Sequence, residues 1–336
     1  MPLLVLSAAD VHTVLDYADC ATAMRRALTA LASGRAQQPL RTVIKPDDAA
    51  GLVALMPSYL AGGDGSAGRY GLKAICITPG NPAAGLDTHQ GVVLLSDGKT
   101  GVPVAILNAS AVTEIRTAAV SVVATELLAN PAADTLAVIG SGVQARAHIC
   151  ALDQVRSLSE VRVASRDPDS ARRLAAALSG QTRAPVRSCE SARAAVDGAD
   201  IIVTATSSAR PVLQHDWLAP GTHINAVGAC LPHARELDTA TVVAGVLVAD
   251  RRESVLAESG DYLLAAADGA VGPGHIRAEL GELLLGSARG RAAAEEITIF
   301  ESLGLAVEDL AAAELAYRRA AEARDAGAEI GTWAGF

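Results

Sequence analysis

Aromatic residues are scarce in this chain, with two Trp, two Phe and five Tyr among 336 residues. Half of the residues are nevertheless hydrophobic, so the core must be aliphatic. Five cysteines, Cys20, Cys76, Cys150, Cys189 and Cys230, are spread along the sequence, and no two form a CxxC pair. That spacing supplies neither a disulfide framework nor a zinc site, so no metal is expected and a reducing, cytoplasmic setting is the simplest reading. Basic runs are missing too, and the formal net charge is −9. An acidic balance without a basic stripe argues against nucleic acid and anionic membrane surfaces as partners. No uninterrupted apolar run is long enough to span a bilayer. The opening residues, MPLLVLSAADVH, have no basic lead and reach Asp10 before any apolar stretch of signal-peptide length.

What is present reads as two kinds of text. Leu3 to Leu6 predicts a short strand, and Ser7 with Asp10 predicts a capped helix start. A second helix is expected from about Asp19 to Ser33, with Met24, Leu28 and Leu31 on one face and Gly34 as its stop. From Arg41 to Ala111 the runs RTVIK, LVALMPSYL, YGLKAICIT, GVVLLSD and VPVAILN predict strands, with a hairpin at Asp97-Gly98. This first part is expected to be α+β with an antiparallel or mixed sheet. Thr113 to Leu128 predicts a linking helix. Beyond Thr135 the strands LAVIG, VRVAS, DIIVTAT, HINAVG and VLVAD alternate with helical text, the rhythm of a doubly wound parallel sheet. A final helix is expected from about Val307 to Ala326. Glu308 and Asp309 at its start and Arg318, Arg319 and Arg324 near its end suit the helix dipole. The chain is long enough for two domains, and no repeat or low-complexity linker is visible.

The most specific string is Leu136–Ala145, LAVIGSGVQA. An apolar strand runs into Gly140-Ser141-Gly142-Val143-Gln144-Ala145 and then a helix, which is the order a dinucleotide-binding βαβ unit needs. The first glycine makes the tight turn, the second admits a pyrophosphate, and the small Ala145 lets helix and strand pack closely. The next strand, Val161-Arg162-Val163-Ala164, ends at Ser165-Arg166. In this fold an acid there binds the ribose of NAD, whereas an arginine accommodates the 2′-phosphate of NADP. Ser165 and Arg166 therefore predict NADP(H), with NAD(H) as the other possibility. Asp167, one step on, is placed to cap the following helix. Thr206, Asn225 and Val227, at the ends of two later apolar runs, complete the candidate cofactor contacts, because ligands sit at the carboxyl edge of such sheets.

Cations stand out in the first part. Arg41 follows Pro39-Leu40, Lys73 lies inside a strand, and Arg116 lies in an otherwise apolar helix. Lysine and arginine are rarely buried without a partner. Three of them in apolar text are candidates to converge on a carboxylate, with structural ion pairing as the alternative. His89, in Asp87-Thr88-His89-Gln90-Gly91, is a candidate proton donor or substrate contact, as is Lys73. Glu258-Ser259-Gly260-Asp261 is explained by a turn with a cap.

With these residues in place, the chain resembles the ornithine cyclodeaminase/mu-crystallin family over almost its whole length. The resemblance rests on Pro39-Leu40-Arg41, Met56-Pro57, Gly71-Leu72-Lys73, Asp97-Gly98-Lys99-Thr100-Gly101-Val102-Pro103 and Arg116-Thr117-Ala118-Ala119. It continues through Ile139 to Ala145, His223-Ile224-Asn225-Ala226-Val227-Gly228, Glu258-Ser259-Gly260-Asp261 and Glu296-Ile297-Thr298-Ile299-Phe300. It implies a homodimer, with residues 1–118 and 307–336 forming a substrate-binding and dimerisation domain and residues 119–306 a Rossmann domain. By the same resemblance Arg41, Lys73 and Arg116 match the residues that grip the substrate carboxylate.

One departure bears on the reaction. Cyclodeaminases carry an aspartate just after the VGG/VGA string, and it handles the leaving amine. Here the string is Ala226-Val227-Gly228-Ala229-Cys230, so Cys230 takes that position as a candidate substrate contact. A thiol is mostly protonated near neutral pH and supplies no standing carboxylate charge. As a nucleophile it lacks a partner other than His233, past a proline, so small-residue packing is its simpler role. The resemblance is therefore to the ketimine reductase branch, which also lacks the aspartate; Arg235-Glu236-Leu237-Asp238 and the Ser165-Arg166 signal fit that branch. The expected activity is NAD(P)H-dependent reduction of 2-imino acids, with a small imino or amino acid as partner. The alternatives are a cyclodeaminase or alanine-type dehydrogenase, and a non-catalytic small-ligand binder that uses NADPH structurally.

Overall fold

The computed structural model describes residues 2–63 and 67–335. The chain divides into two compact units, Met1–Arg116 with Leu305–Phe336, and Thr117–Gly304.

The first unit is α+β. Its strands are β1 (Leu3–Leu6), β2 (Ala36–Gln37), β3 (Thr42–Ile44), β4 (Leu52–Leu60), β5 (Arg69–Ile77), β6 (His89–Asp97) and β7 (Pro103–Asn108). They lie in the order β1-β7-β6-β5-β4-β2, with β3 also on β4 and the last strand, Thr332–Ala334, outside β1. The sheet is mixed, since β1 runs parallel to β7 while β4 to β7 are antiparallel neighbours. Along β5 the side chains alternate: Gly71, Lys73 and Ile75 are buried, and Tyr70 and Cys76 are exposed. Period-two alternation of this kind marks a sheet with one covered face. The helix Ala306–Asp325 packs across β4, β5 and β6, and the helix Tyr17–Ala32 packs against it.

Local capping chemistry sets the helix starts. Ser7 and Asp10 form a reciprocal capping box for Ala8–Val14, with Ser7 N–H donating to Asp10 at 2.9 Å. Tyr17–Ala32 starts two residues before the expected Asp19, because the Asp16 carboxylate accepts the Asp19 N–H at 2.9 Å. The linking helix spans Ala109–Leu128 and starts four residues before Thr113, where the Asn108 side chain accepts the Ala111 N–H at 3.0 Å. At the expected Asp97-Gly98 hairpin, Asp97 accepts the N–H groups of Lys99 and Thr100 at 3.1 and 2.9 Å, which closes the turn from β6 to β7.

The second unit is a doubly wound α/β sheet. Its strands are β8 (Thr135–Ile139), β9 (Glu160–Ala164), β10 (Val186–Ser188), β11 (Ile201–Thr204), β12 (His223–Ala226), β13 (Val246–Ala249), β14 (Ile276–Glu279) and β15 (Thr298–Glu301). All pair in parallel, in the order β10-β9-β8-β11-β12-β15-β13-β14. Counted from β8 the order is 3-2-1-4-5-8-6-7, the 3-2-1-4-5 arrangement of a Rossmann sheet with β15 inserted before β13 and β14. Its switch point lies between β8 and β11. One row of fully buried side chains, Ala137, Ile202, Ile224, Ile299 and Leu247, crosses five neighbouring strands. A parallel sheet covered on both faces requires such apolar strands. β10, β14 and β15 are not among the expected strands, although β15 lies inside the sheet between β12 and β13. Its four residues are too short for a period to be read.

Among the described residues, no helix is long and apolar enough to cross a membrane, and no group of His, Cys, Asp or Glu is arranged to hold a metal ion.

Candidate functional site

The dinucleotide turn sits at the carboxyl end of β8, at the switch point. Gly140 has φ 130°, and a Cβ there would lie 2.4 Å from the Ala205 carbonyl oxygen. Only glycine meets both conditions. Gly142 caps the helix Val143–Val155 without a side-chain hydrogen bond, and the space beyond its Cα is open. Gly142 thus brings no side chain to cap the start of that helix, and a helix start of this kind receives phosphate oxygens. Ser141, Val143 and Gln144 surround the turn, with Val143 exposed, while Ala145 is fully buried against the sheet. These residues fit a dinucleotide.

At the end of β9, Ser165 is half-buried and its Oγ lies 3.0 Å from Ser141 Oγ, tying the two loops together. Arg166 is exposed and pairs with no acid among the described residues. Asp167 caps the helix Pro168–Leu178, accepting Asp169 N–H at 3.1 Å, so its carboxylate is engaged in the cap. Further along the sheet edge, Thr206 follows β11 and Val227 follows β12. Asn225 is placed differently from the expectation. It is the third residue of β12, fully buried, and its Nδ2 donates to Thr125 Oγ1 at 3.0 Å. Its amide braces the second half of the linking helix.

In the first unit, Lys73 and Arg116 are 3 % and 4 % exposed. Lys73 Nζ lies 2.7 Å from Asp309 Oδ2. Arg116 donates through Nε to Asp309 Oδ1 at 3.0 Å and through Nη1 to Glu308 Oε2 at 2.7 Å. Asp309 thus bridges both cations, and Glu308 and Asp309 are themselves almost inaccessible. Burial pushes the Lys73 ammonium down to about 8; Asp309 opposes that shift, while Arg116 and Arg41 reinforce it. The His89 imidazole is also lowered, first by loss of solvent and then by Lys73 and Arg116. His89 nonetheless keeps an exposed edge. Lys73 and Arg116 thus share Asp309, and Arg41 and His89 are coupled to them electrostatically.

Cys230 lies in the second unit, half-buried, with Sγ donating to the carbonyls of Val227 at 3.2 Å and Ser302 at 3.6 Å. It acts there as a weak donor that joins two loops.

Two acids escaped the sequence reading. Glu308 and Asp309 were attributed to the helix dipole, yet they are the counter-charges of the cation cluster. The available signal was the one used for Arg116: charged residues inside the apolar run Leu305-Ala306-Val307 and Leu310-Ala311-Ala312-Ala313. In the sequence, Glu236 stands out only as part of the Arg235-Glu236-Leu237-Asp238 string.

Together these features define a two-unit protein of the dinucleotide-fold class, with a buried cation cluster in its α+β unit. The chain belongs to the ornithine cyclodeaminase/mu-crystallin family, whose model matches residues 2–324. It is 41% identical over 284 residues to the ketimine reductase mu-crystallin of Mus musculus, covering 84% of this chain and 85% of the relative. Its structure is similar to that of Thermococcus litoralis Δ1-pyrroline-2-carboxylate reductase in complex with NADH and L-proline, with TM-score 0.92, 38% identity and coverage of 98% and 99% of the two chains. It is also similar to an archaeal alanine dehydrogenase dimer with bound NAD, with TM-score 0.91, 30% identity and full coverage of both chains.

Proposed function

We propose that this chain is an NAD(P)H-dependent reductase of 2-imino acids, acting on cyclic ketimines such as 1-pyrroline-2-carboxylate and 1-piperideine-2-carboxylate to give the corresponding amino acids. The observation that carries the reading is the pairing of buried Lys73 and Arg116 on Asp309, with half-buried Arg41 adding positive potential, in a chain whose relatives are named as imine reductases. When bound, the cofactor supplies the hydride.

The chain's own residues supply binding and a proton. Arg116 presents a planar guanidinium already oriented by Glu308 and Asp309, and Arg41 and Lys73 add charge, so a carboxylate finds a preorganised cationic site. Lys73 carries its proton at neutral pH but releases it more readily than an ordinary lysine, because burial lowers its affinity for the proton to about 8. His89 is a poorer donor, since burial first, and then the neighbouring cations, favour the neutral ring. We therefore assign proton donation to the imine nitrogen to Lys73. Cys230 supplies no carboxylate at the position where cyclodeaminases place one, which favours reduction over ornithine cyclisation.

Ser165 and the exposed Arg166 support a preference for NADP(H) over NAD(H). A homodimer is supported by the uncovered face of the first sheet. There Val5, Ile106, Leu94, Leu72 and Leu55 line up or neighbour one another across β1, β7, β6, β5 and β4. Val5 and Val92 remain 40% and 43% exposed, and monomers rarely leave so continuous an apolar face in water.

The test is consumption of NADPH and NADH, followed by absorbance, with each cyclic imine, alongside ammonia release from ornithine. Cofactor oxidation matched one for one by amino-acid product supports the proposal. Ammonia release from ornithine without net cofactor change, or tight binding with no turnover on any imine, overturns it.

A further inference from the structure

Glu236 is completely buried, yet no lysine or arginine among the described residues pairs with it. Its two carboxylate oxygens instead accept backbone N–H groups, Oε1 from Thr206 and Oε2 from Gly228, both at 2.6 Å. Thr206 lies just beyond β11 and Gly228 just beyond β12, and these strands are adjacent and parallel. One side chain therefore ties together the carboxyl-end loops of the first two strands in the second half of the Rossmann sheet.

The tie is built in depth. Asp261, also fully buried, accepts the N–H groups of Glu236 and Leu237 on Oδ1, both at 2.8 Å. The Glu236 carbonyl accepts the N–H groups of Val212 and Leu213 at 2.7 and 3.0 Å. A Cβ on Gly228 would lie 2.1 Å from the Thr206 carbonyl oxygen and 2.6 Å from Glu236 Oε2, so glycine is what allows the carboxylate to reach that N–H. Burial also raises the Glu236 proton affinity. An unpaired buried carboxylate is expensive, and a neutral or apolar replacement usually serves stability as well or better. Such a group is kept for what it positions.

In a Rossmann sheet the two halves each take one half of the dinucleotide, the turn after the first strand serving the adenosine side. We propose that Glu236 is a positioning residue for the nicotinamide half of the cofactor, holding the loops at Thr206 and Gly228 in the arrangement that receives it while making no contact with it. This rests on the cofactor reading above.

The experiment compares wild type with E236Q, which keeps the volume but turns an amino group toward one of the two N–H donors. Dissociation constants are measured by calorimetry for ADP-ribose and 2′-phospho-ADP-ribose, which lack nicotinamide, and for NADH and NADPH. Loss of one charge-assisted hydrogen bond corresponds to about tenfold. The expected result is fragment affinity within about twofold of wild type, with dinucleotide affinity about tenfold weaker in E236Q. E236D, which keeps the charge and shortens the reach, takes its place if E236Q does not fold. Parallel weakening of fragments and dinucleotides, or no weakening of either, overturns the inference while leaving the cofactor reading intact. Wild-type protein that binds none of the four ligands overturns the cofactor reading, and the inference with it.

Discussion

Asp309 holds Lys73 at 2.7 Å in a place where neither side chain meets solvent. The pairing sets the charge on Lys73 against the burial that opposes it. Lys73 titrates near 8 rather than near the usual lysine value, and its charge is lost as pH rises through that point. Imine reduction is therefore expected to fall on an alkaline limb near pH 8. Asp309→Asn removes the charge that favours the ammonium, so the limb moves to lower pH. Lys73→Arg, which cannot release a proton in this range, lowers kcat/KM strongly at every pH and leaves the remaining activity without the limb. A pH profile of kcat/KM checks both, and a limb unmoved by either substitution removes Lys73 from the titrating role.

Arg116 carries two jobs that a single deletion confuses. Arg116→Ala leaves Glu308 and much of Asp309 buried without a partner, a defect of about 3–5 kcal/mol in comparable pairs. Denaturant titration is expected to show a loss of that order. The double variant Arg116→Ala, Glu308→Gln recovers most of it, because Glu308 no longer carries a charge and Asp309 keeps Lys73 as its partner. Binding of a carboxylated product such as proline stays weak in the double variant. Recovery of carboxylate affinity together with stability limits Arg116 to structural ion pairing.

Arg166→Asp addresses the cofactor. A phosphate contact of the bidentate arginine type is worth about 1.5–3 kcal/mol, or tenfold and more in affinity. NADPH binding is expected to weaken by at least that factor while NADH changes little. Fluorescence titration of both reduced cofactors decides it, and equal weakening of the two rules out Arg166 as the discriminating residue.

Asp261 gives the second unit a pH dependence of definite sign. Burial pushes its carboxyl up to about 7, with the nearby Glu236 charge adding to the effect and its N–H donors opposing it. The folded state therefore holds a proton that the unfolded chain has released above its ordinary value near 4. Stability is greatest below that value and declines as pH rises toward 7. Asp261→Asn keeps an oxygen to accept the Glu236 and Leu237 N–H groups and removes the titration. Urea midpoints measured from pH 5 to 8 are expected to slope downward for wild type and to flatten for the variant; an unchanged slope places the titration elsewhere.

Much of this fold was open to reading before any coordinates. Strand and helix periods placed β4 to β7, five of the eight strands of the second unit and the last helix close to their observed bounds. Gly140-x-Gly142-x-x-Ala145 placed the switch point because its glycines answer a local demand, one that the Ala205 carbonyl makes visible. What escaped were relations between distant segments. Nothing near Glu308 in sequence shows that it faces Arg116, and nothing beside Glu236 shows two backbone N–H groups from different strands converging on it. The same limit applies to β15, whose central place follows from pairing with β12 and β13 rather than from its four residues. Asn225 was assigned to the sheet edge for the converse reason, because its side chain finds Thr125 a hundred residues earlier.

The first unit is closed by a segment that arrives last. On the ribosome, Lys73 and Arg116 are made early, and Asp309 follows Arg116 by 193 residues. The nascent sheet must wait with its cations hydrated while the entire dinucleotide unit is synthesised. Only then do Glu308 and Asp309 allow those cations to be drawn out of water. A chain released before Glu308 would possess every strand of the second unit and both Lys73 and Arg116, yet have no means of sealing the interior around them.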